Sequence, residues 1–537
     1  MKLVSKQDLK TILGQIPLTA EAYWYIRQPG KPVTPEFTLD KLERCIPEWR
    51  TQILESVEYR SVDGHPAVGN RKSLFIFATL RYWLEHATLL GMILAGLGHK
   101  VTLAYLPYAR WQQPIDAFNL RRQNIYAEGV LTKTSPLLKI VPLLNQTKAA
   151  QLPAVLQQAV QLVSLRDTQY TLQVEEVSLQ SQLYQLRLQR NQAAANAVYS
   201  YLHKHNPDVI ILPNGTILEF GVIYQVARFL GLPTVTYEFG EQRERIWLAQ
   251  DAEVMRQETN ELWWMHQDQP LTSNQLAQVR KLFAARQRAS LWENFARRWQ
   301  GVPSEGGAQV RQALGLDERP IVLLATNVIG DSLTLGRQVF SDSMTEWLER
   351  TVQYFATSPD VQLVVRIHPG ELVTKGPSVA DVVHKALPSL PEHIHLVPAE
   401  AKVNTYDIVE IADLGLVYTT TVGMEMAMSG VPVIVVGNTH YRAKGFTLDP
   451  ASWDDYFAVL SETLTGHPPD RLTQSQVEQA WNYAYRFFFE YPQPFPWHLV
   501  HFWKDLEEWP VARVMSEEGL SAFRTTFDYL AGDPIRW

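Results

Sequence analysis

The chain has 537 residues, with 49 Lys and Arg against 56 Asp and Glu, a formal charge of −7 and 46% hydrophobic residues. This is globular composition and excludes a disordered, collagen-like or coiled-coil chain, while the acidic balance argues against nucleic acid as the main partner. Cys45 is the single cysteine, which excludes intrachain disulfides and cysteine-based metal centres and fits a reducing compartment.

Length alone implies about three domains, or two large ones with additions, at roughly 100–200 residues each. The opening Met1–Asp8 lacks the apolar core of a secretory signal. Apolar runs such as Leu89–Leu97 and Val431–Val436 fall far short of the ~20 residues that span a bilayer. The expectation is a cytoplasmic protein without a membrane span, with peripheral contact at the inner face of a membrane left open.

Residues 1–72 carry Pro17, Pro29, Pro32 and Pro35 among short amphipathic pieces and read as an irregular, partly helical lead-in. From Ser73 the pattern changes. Leu74–Thr79 is a short β-prone apolar run, Arg81–His86 reads as a loop, and His86–Leu97 has helical spacing ending at Gly98. Val101–Leu106 is the next strand, so this stretch is a βαβ unit, the building block of a parallel sheet. Residues 150–205 are Gln/Leu-rich and predict long amphipathic helices. Pro207–Pro213 predicts a strand, 220–230 a helix and Thr234–Tyr237 a strand, closing the first α/β domain near 240. Residues 250–300 read as helical.

Pro303-Ser304-Glu305-Gly306-Gly307 is the strongest linker signal in the chain. Beyond it, strands are predicted at 320–326, 361–367, 413–418 and 431–436, with helices at Met344–Ala356 and 422–429. Phe229-Leu230-Gly231-Leu232-Pro233 and Met428-Ser429-Gly430-Val431-Pro432 make the same helix end, glycine turn and strand entry, so the second domain repeats the first. Trp453–Trp537 reads as helices interrupted by an aromatic, proline-broken stretch at 487–497. The expected architecture is α/β, with two Rossmann-like domains facing a cleft and added helical segments. Its parts are a lead-in at 1–72, domains at 73–300 and 308–452, and C-terminal helices at 453–537.

Ligands of such sheets sit beyond the carboxyl ends of the strands, and the polar residues after each strand are therefore the candidates. Arg366-Ile367-His368-Pro369 ends a strand. His368 could donate to a phosphate and Arg366 add fixed charge, the plainer alternative being a histidine that caps its own turn. Thr419-Thr420-Thr421-Val422-Gly423-Met424-Glu425 offers three hydroxyls, a glycine and a helix start to an anion, with Glu425 available to ribose hydroxyls; threonines also cap helices with no ligand present. Asn327 and Asp331, after the first strand of the second domain, would face the same cleft. Glu238 and Glu241, after a first-domain strand, are candidates for a general base or nucleophile, against the alternative of surface ion pairs. Arg81, Glu85 and His86 could contact an acceptor. Gly64-His65, His498 and His501 match no metal spacing and read as structural. Walker A, Gly-x-Gly-x-x-Gly, Gly-x-Ser-x-Gly and His-Glu-x-x-His patterns do not occur.

Leu94–Leu103 resembles the opening helix and strand of GT-B glycosyltransferases. Arg366-Ile367-His368-Pro369, the Thr419–Glu425 segment and Pro432–Gly437 running into Tyr441-Arg442-Ala443-Lys444-Gly445-Phe446-Thr447 resemble the bacterial capsular-polysaccharide synthesis proteins, which include Kdo transferases and share a His-Pro and a Ser/Thr motif with bacterial sialyltransferases. The Lys-Gly-Phe-Thr segment is the most specific part of the likeness, which covers 310–450, 73–110 and 205–250 and is absent from the lead-in and the 150–200 helices. It implies a nucleotide-sugar donor whose phosphate is held by His368 and Thr419–Thr421, a nucleotide contact by Glu425, and Lys444 and Gly423 within the donor site. It also matches Glu238-x-Gly240-x-x-Arg243 to an acceptor-side Glu-x-Gly-x-x-Arg segment. The family often has two adjacent acids there; Phe239 replaces the second, leaving Glu241 as an alternative.

Together these imply a metal-independent glycosyltransferase without a cofactor, moving a sugar from a nucleotide sugar to a glycan or lipid-linked glycan in surface or capsular polysaccharide synthesis. A nucleotide-sugar 2-epimerase and a catalytically silent glycan-binding member of an assembly complex are the rival readings.

Overall fold

The computed structural model describes residues 6–28, 30–62, 71–146, 151–240, 242–287, 302–465 and 469–537. Glu241 and the Gly64-His65 pair therefore lie outside the described residues. The strands, in chain order, are β1 (Ser73–Thr79), β2 (Lys100–Leu106), β3 (Leu138–Pro142), β4 (Val209–Pro213), β5 (Thr234–Glu238), β6 (Arg245–Gln250), β7 (Ile321–Ala325), β8 (Gln362–Arg366), β9 (Ile394–Val397), β10 (Leu414–Val417), β11 (Val433–Val435) and β12 (Gln493–Pro494). They form two sheets in two compact units. The first unit comprises residues up to 168, 178–255 and 493–536, and the second 169–177, 256–492 and Trp537.

The first sheet has the order β12-β6-β5-β4-β1-β2-β3. Its central strands are parallel and almost wholly buried, as runs such as Leu74–Ala78 and Val209–Leu212 require when helices cover both faces. The parallel sheet expected from the βαβ pattern is present, with two antiparallel strands, β6 and β12, added at one edge. Pro494 sits in the edge strand, where a missing N–H costs no ladder bond. The inserted helices span Ala154–Leu172 and Gln182–His205. Arg187, buried between Asp167 and Glu219, ties them to the helix Leu218–Phe229.

The lead-in is more ordered than its prolines suggest. Helices Lys6–Gln15, Thr19–Arg27 and Asp40–Val62 occupy it. Trp24, Phe37, Leu42, Ile46, Trp49 and Ile53 enter the core of the first unit. Pro17 and Pro32 fall between helices and Pro35 opens a short 3-10 turn, while Pro47 lies inside the long helix. Arg81–His86 also differs from expectation: Leu80 alone turns the chain, at φ 62°, and the helix Arg81–Gly96 begins at once, so the expected loop is helix.

The second sheet is all parallel, in the order β11-β10-β7-β8-β9. β7 is the first strand and its neighbours β8 and β10 lead away in opposite directions, which places the topological switch between β7 and β10. Gly231 and Gly430, the repeated helix-end glycines, both adopt positive φ, 68° and 80°. The units part at 255/256 and 492/493 rather than at 303–307, because helix Ser273–Gln287 packs on helix Gln474–Tyr485 within the second unit while 493–536 joins the first. Among the described residues no helix is long and apolar enough to cross a membrane.

Candidate functional site

In the second unit a pocket opens at the carboxyl ends of β7, β8 and β10. Its polar lining includes Thr326, Arg366, His368, Thr420 and Thr421, with Arg286 and Tyr406 from flanking helices. The strand ends are clamped by side chains. Thr326 Oγ1 accepts the His368 N–H at 3.0 Å and donates to the Arg366 carbonyl at 3.3 Å. Asn327 Oδ1 accepts both the N–H and the hydroxyl of Thr419, at 3.1 and 3.2 Å.

His368 caps the short turn Pro369–Val373, and its Nδ1 accepts the Gly370 N–H at 2.9 Å. That bond fixes the proton on Nε2 and makes Nε2 a donor. A Cβ at residue 370 would meet His368 Nδ1 at 2.7 Å, so the glycine lets the backbone approach the ring. The capping role and the pocket-lining role thus coexist in one side chain.

Arg366 is buried and donates to the carbonyls of Pro398 and Val403, at 2.6 and 3.2 Å, and to Thr405 Oγ1 at 3.3 Å. No carboxylate among the described residues forms a salt bridge with it, and burial, partly offset by Glu400, pulls its pKa down to about 10. Backbone carbonyls and Thr405 satisfy three of its N–H groups and Glu400 offsets part of its charge, so the guanidinium brings net positive charge to the pocket.

Arg286 is neutralised by contrast. Glu425 Oε1 accepts from its Nε at 2.9 Å and its Nη2 at 2.8 Å, and Tyr406 hydrogen-bonds to both side chains. Burial lowers the Arg286 pKa, but Glu425 and Tyr406 more than offset that, and the guanidinium ends above its ordinary value. The pocket lining therefore carries two guanidiniums, one paired with Glu425 and the other partly offset by Glu400. With the His368 donor and two threonine hydroxyls, the arrangement suits a phosphate or other anion.

Several expected residues also make structural contacts. Glu425 uses Oε1 for Arg286, while its buried Oε2 has no hydrogen-bond partner among the described residues. A Cβ on Gly423 would lie 2.4 Å from Tyr441 Oη, so this glycine admits the tyrosine, whose hydroxyl donates to the Thr420 carbonyl. The helix it opens, Val422–Met428, has only seven residues, too short for much of a macrodipole. Lys444 Nζ donates to Asn260 Oδ1, and Lys444 does not line the pocket; burial lowers its pKa. Asp331 accepts from the N–H and hydroxyl of Ser332 in a local turn, with its pKa raised by burial, and also lies outside the lining. Arg286, Asn404 and Tyr406 escaped the sequence reading. Asn404, the N-cap of helix Thr405–Ile411, carried a recognisable signal; Arg286 carried none, since its acid is 139 residues away.

In the first unit Glu238 ends β5. Its Oε2 accepts from Asn214 Nδ2 at 3.0 Å and its Oε1 from the Phe239 N–H at 3.1 Å. Asn214, just past β4, uses its own Oδ1 to accept from Thr216 and Ile217. Burial raises the Glu238 pKa against these two hydrogen bonds, which makes its carboxylate a stronger base. A Cβ on Gly240 would strike the Trp247 ring at 2.7 Å.

The expected acceptor residues fare differently. His86 is sealed among Tyr237, Phe239, Phe495 and Phe502, with Nε2 on the Trp497 carbonyl at 3.3 Å, and burial drops its pKa to about 3; it is a core histidine. Glu85 is buried beside it, hydrogen-bonded by Trp503 Nε1 at 3.3 Å and 3.9 Å from Arg81, and burial raises its pKa to about 7. Arg81 remains partly exposed. Arg243 is held by Asp505 at 2.7 Å and Glu508 at 2.9 Å, whose hydrogen bonds raise its pKa. His498 Nδ1 accepts the Val500 N–H at 3.2 Å and its Nε2 donates to the Gly240 carbonyl at 3.1 Å, as a structural histidine does. Among the described residues no group of three or more His, Cys, Asp or Glu is arranged to hold a metal ion.

No protein-family model and no curated protein matches the chain. Solved structures do. A beta Kdo 2,4 transferase, KpsC of Thermosulfurimonas dismutans, is 16% identical over 54% of this chain and 82% of its own, with a TM-score of 0.31. UDP-GlcNAc 2-epimerase of Neisseria meningitidis, bound to UDP-GlcNAc, is 13% identical over 81% and 98%, with a TM-score of 0.23. MurG of Acinetobacter baumannii is 12% identical over 81% and 99%, also at 0.23. These scores are low, and the α/β architecture stands on the strand order and pairing themselves.

Proposed function

We propose that this protein is a glycosyltransferase that moves a sugar from a nucleotide-sugar donor to a glycan or lipid-linked glycan, in the manner of the capsular-polysaccharide proteins its motifs resemble. The observation that carries the reading is Arg366, a buried guanidinium with no salt-bridged carboxylate among the described residues, beside His368, Thr420 and Thr421 in a pocket at the strand ends.

In this reading the acceptor oxygen attacks the anomeric carbon as the bond from that carbon to the phosphate oxygen breaks. Negative charge develops on the departing phosphate, where the Arg366 charge and the His368 Nε2–H stabilise it more than they stabilise the ground state. In the first unit, described by itself, Glu238, its basicity raised by burial and its carboxylate oriented by Asn214 and the Phe239 N–H, is the candidate base for an acceptor hydroxyl.

The test is release of nucleotide from CMP-, UDP-, GDP- and dTDP-sugars with and without a panel of glycan acceptors. Acceptor-dependent release, abolished in Glu238→Gln while nucleotide binding persists, is the expected result. Conversion of a UDP-sugar to its epimer without acceptor would replace this reading by the epimerase one, and glycan binding without turnover of any donor would replace it by a silent binding role.

A further inference from the structure

A second cavity, of about 330 Å³, lies in the first unit, with walls from helices Thr19–Arg27, Asp40–Val62 and Ala117–Leu131. At roughly 30 Å³ each, the share of one water molecule in the liquid, that is space for about eleven heavy atoms, at the small end of the range for small-molecule sites.

The walls are fixed before any ligand arrives. Trp24 is buried and meets Tyr126 with ring centroids 6.1 Å apart. The Tyr126 hydroxyl donates to Asp40 Oδ1 at 2.9 Å and accepts the Leu39 N–H at 2.8 Å. Glu21 and Arg121 form a salt bridge that ties the first of these helices to the third. Tyr25, 70% exposed, adds a third ring to the lining, and Ile125 an aliphatic wall. A preformed apolar site of this kind spares a ligand the cost of ordering it.

The charges decide what fits. Glu43 and Glu128 line the cavity, and no Lys, Arg or His does. Glu43 Oε1 is already paired with Lys133 Nζ at 2.6 Å. Glu128 makes no salt bridge and no side-chain hydrogen bond among the described residues; only its carbonyl is used, accepting from the Thr132 hydroxyl at 2.8 Å. The lining thus carries one unbalanced carboxylate among three aromatic rings, in a chain whose net charge is −7. It repels anions and favours a cation that brings N–H donors to the carboxylate, with the rings adding to the attraction. We propose that this cavity binds a primary ammonium group on an apolar stem, Glu128 taking the ammonium and the Trp24, Tyr25 and Tyr126 rings the stem. The proposal does not depend on the nucleotide pocket.

The test is a ligand-observed NMR titration of the full chain with three probes of similar skeleton, 2-phenylethylammonium, 2-phenylethanol and phenylacetate. The ammonium should bind about tenfold or more tightly than either of the others, and less tightly as salt rises. Glu128→Gln, which keeps the shape and removes the charge, should weaken its binding by about 10–100-fold. Lys133→Gln acts in the opposite direction: it releases Glu43 to the cavity and should tighten binding by up to about fivefold. No binding of the ammonium, binding of the alcohol or the acid as tightly, a Glu128→Gln variant that binds like wild type, or a Lys133→Gln variant that binds more weakly would each overturn the proposal.

Discussion

Glu425→Gln is the substitution that most sharply separates a structural acid from a ligand-binding one. Arg286 and Glu425 side chains are 6 and 3% exposed, with two contacts of 2.8 and 2.9 Å onto a single carboxylate oxygen. Removing the negative partner of such a pair leaves a buried, uncompensated guanidinium, which costs roughly 3–5 kcal/mol. The amide oxygen of Gln still accepts one hydrogen bond and Tyr406 remains, so the low end, about 3 kcal/mol, is expected. In a unit of this size, at about 2–4 °C per kcal/mol, the melting transition of the ligand-free protein should fall by roughly 6–12 °C. Arg286 lies 5.9 and 5.7 Å from the ring centroids of Phe283 and Phe488, so Arg286→Met places an apolar, adaptable side chain between aromatics. The double variant should therefore be more stable than the sum of the singles by about 1–3 kcal/mol. Calorimetry on the four proteins reads all of this. A shift within about 2 °C for Glu425→Gln without ligand, or strict additivity in the double variant, would refute the buried-pair account and return Glu425 to the ligand site.

Glu85 gives a pH signature. Its folded pKa of about 7 lies above the usual carboxyl value, so its contribution is most favourable below the unfolded pKa. The first unit should lose roughly 2–3 kcal/mol as pH rises from about 4.5 through 7. Glu85→Gln should flatten that part of a stability-versus-pH curve, and an unchanged slope would remove the carboxyl from the cause. Gly423→Ala puts a methyl 2.4 Å from Tyr441 Oη and 2.8 Å from Val417 Cγ2. It should cost about 1–3 kcal/mol and weaken nucleotide binding by moving the Thr420 carbonyl that Tyr441 holds; calorimetric titration and chemical denaturation measure the two effects.

Much of the fold was legible because parallel, doubly covered strands are written as short unbroken apolar runs bounded by glycine and proline, as at Leu74–Thr79 and Ile321–Ala325. The helix Met344–Ala356 was legible to the residue through its Ser343 N-cap and strong amphipathic spacing. The lead-in was not, because prolines between its helices mimic irregular chain while Trp24, Trp49 and Ile53 find their burial only in tertiary contact. At the site, His368, Arg366, Thr420 and Thr421 were reachable by the rule that ligands gather beyond strand ends. Glu425, Gly423 and Lys444 obeyed the same rule, but their contacts to Arg286, Tyr441 and Asn260 were not legible, because those partners are fixed by the fold and not by local spacing.

The central claim is that the second-unit pocket binds the phosphate of a nucleotide through Arg366 and His368. Isothermal titration of the full chain with CMP, UDP, GDP and dTDP, alongside Arg366→Met and His368→Ala, tests it directly. The account predicts that one nucleotide binds the wild type and that each variant weakens it by about 10–100-fold, the worth of a charge-assisted hydrogen bond. A folded wild type that binds none of the four, or variants that bind as tightly as wild type, would contradict it.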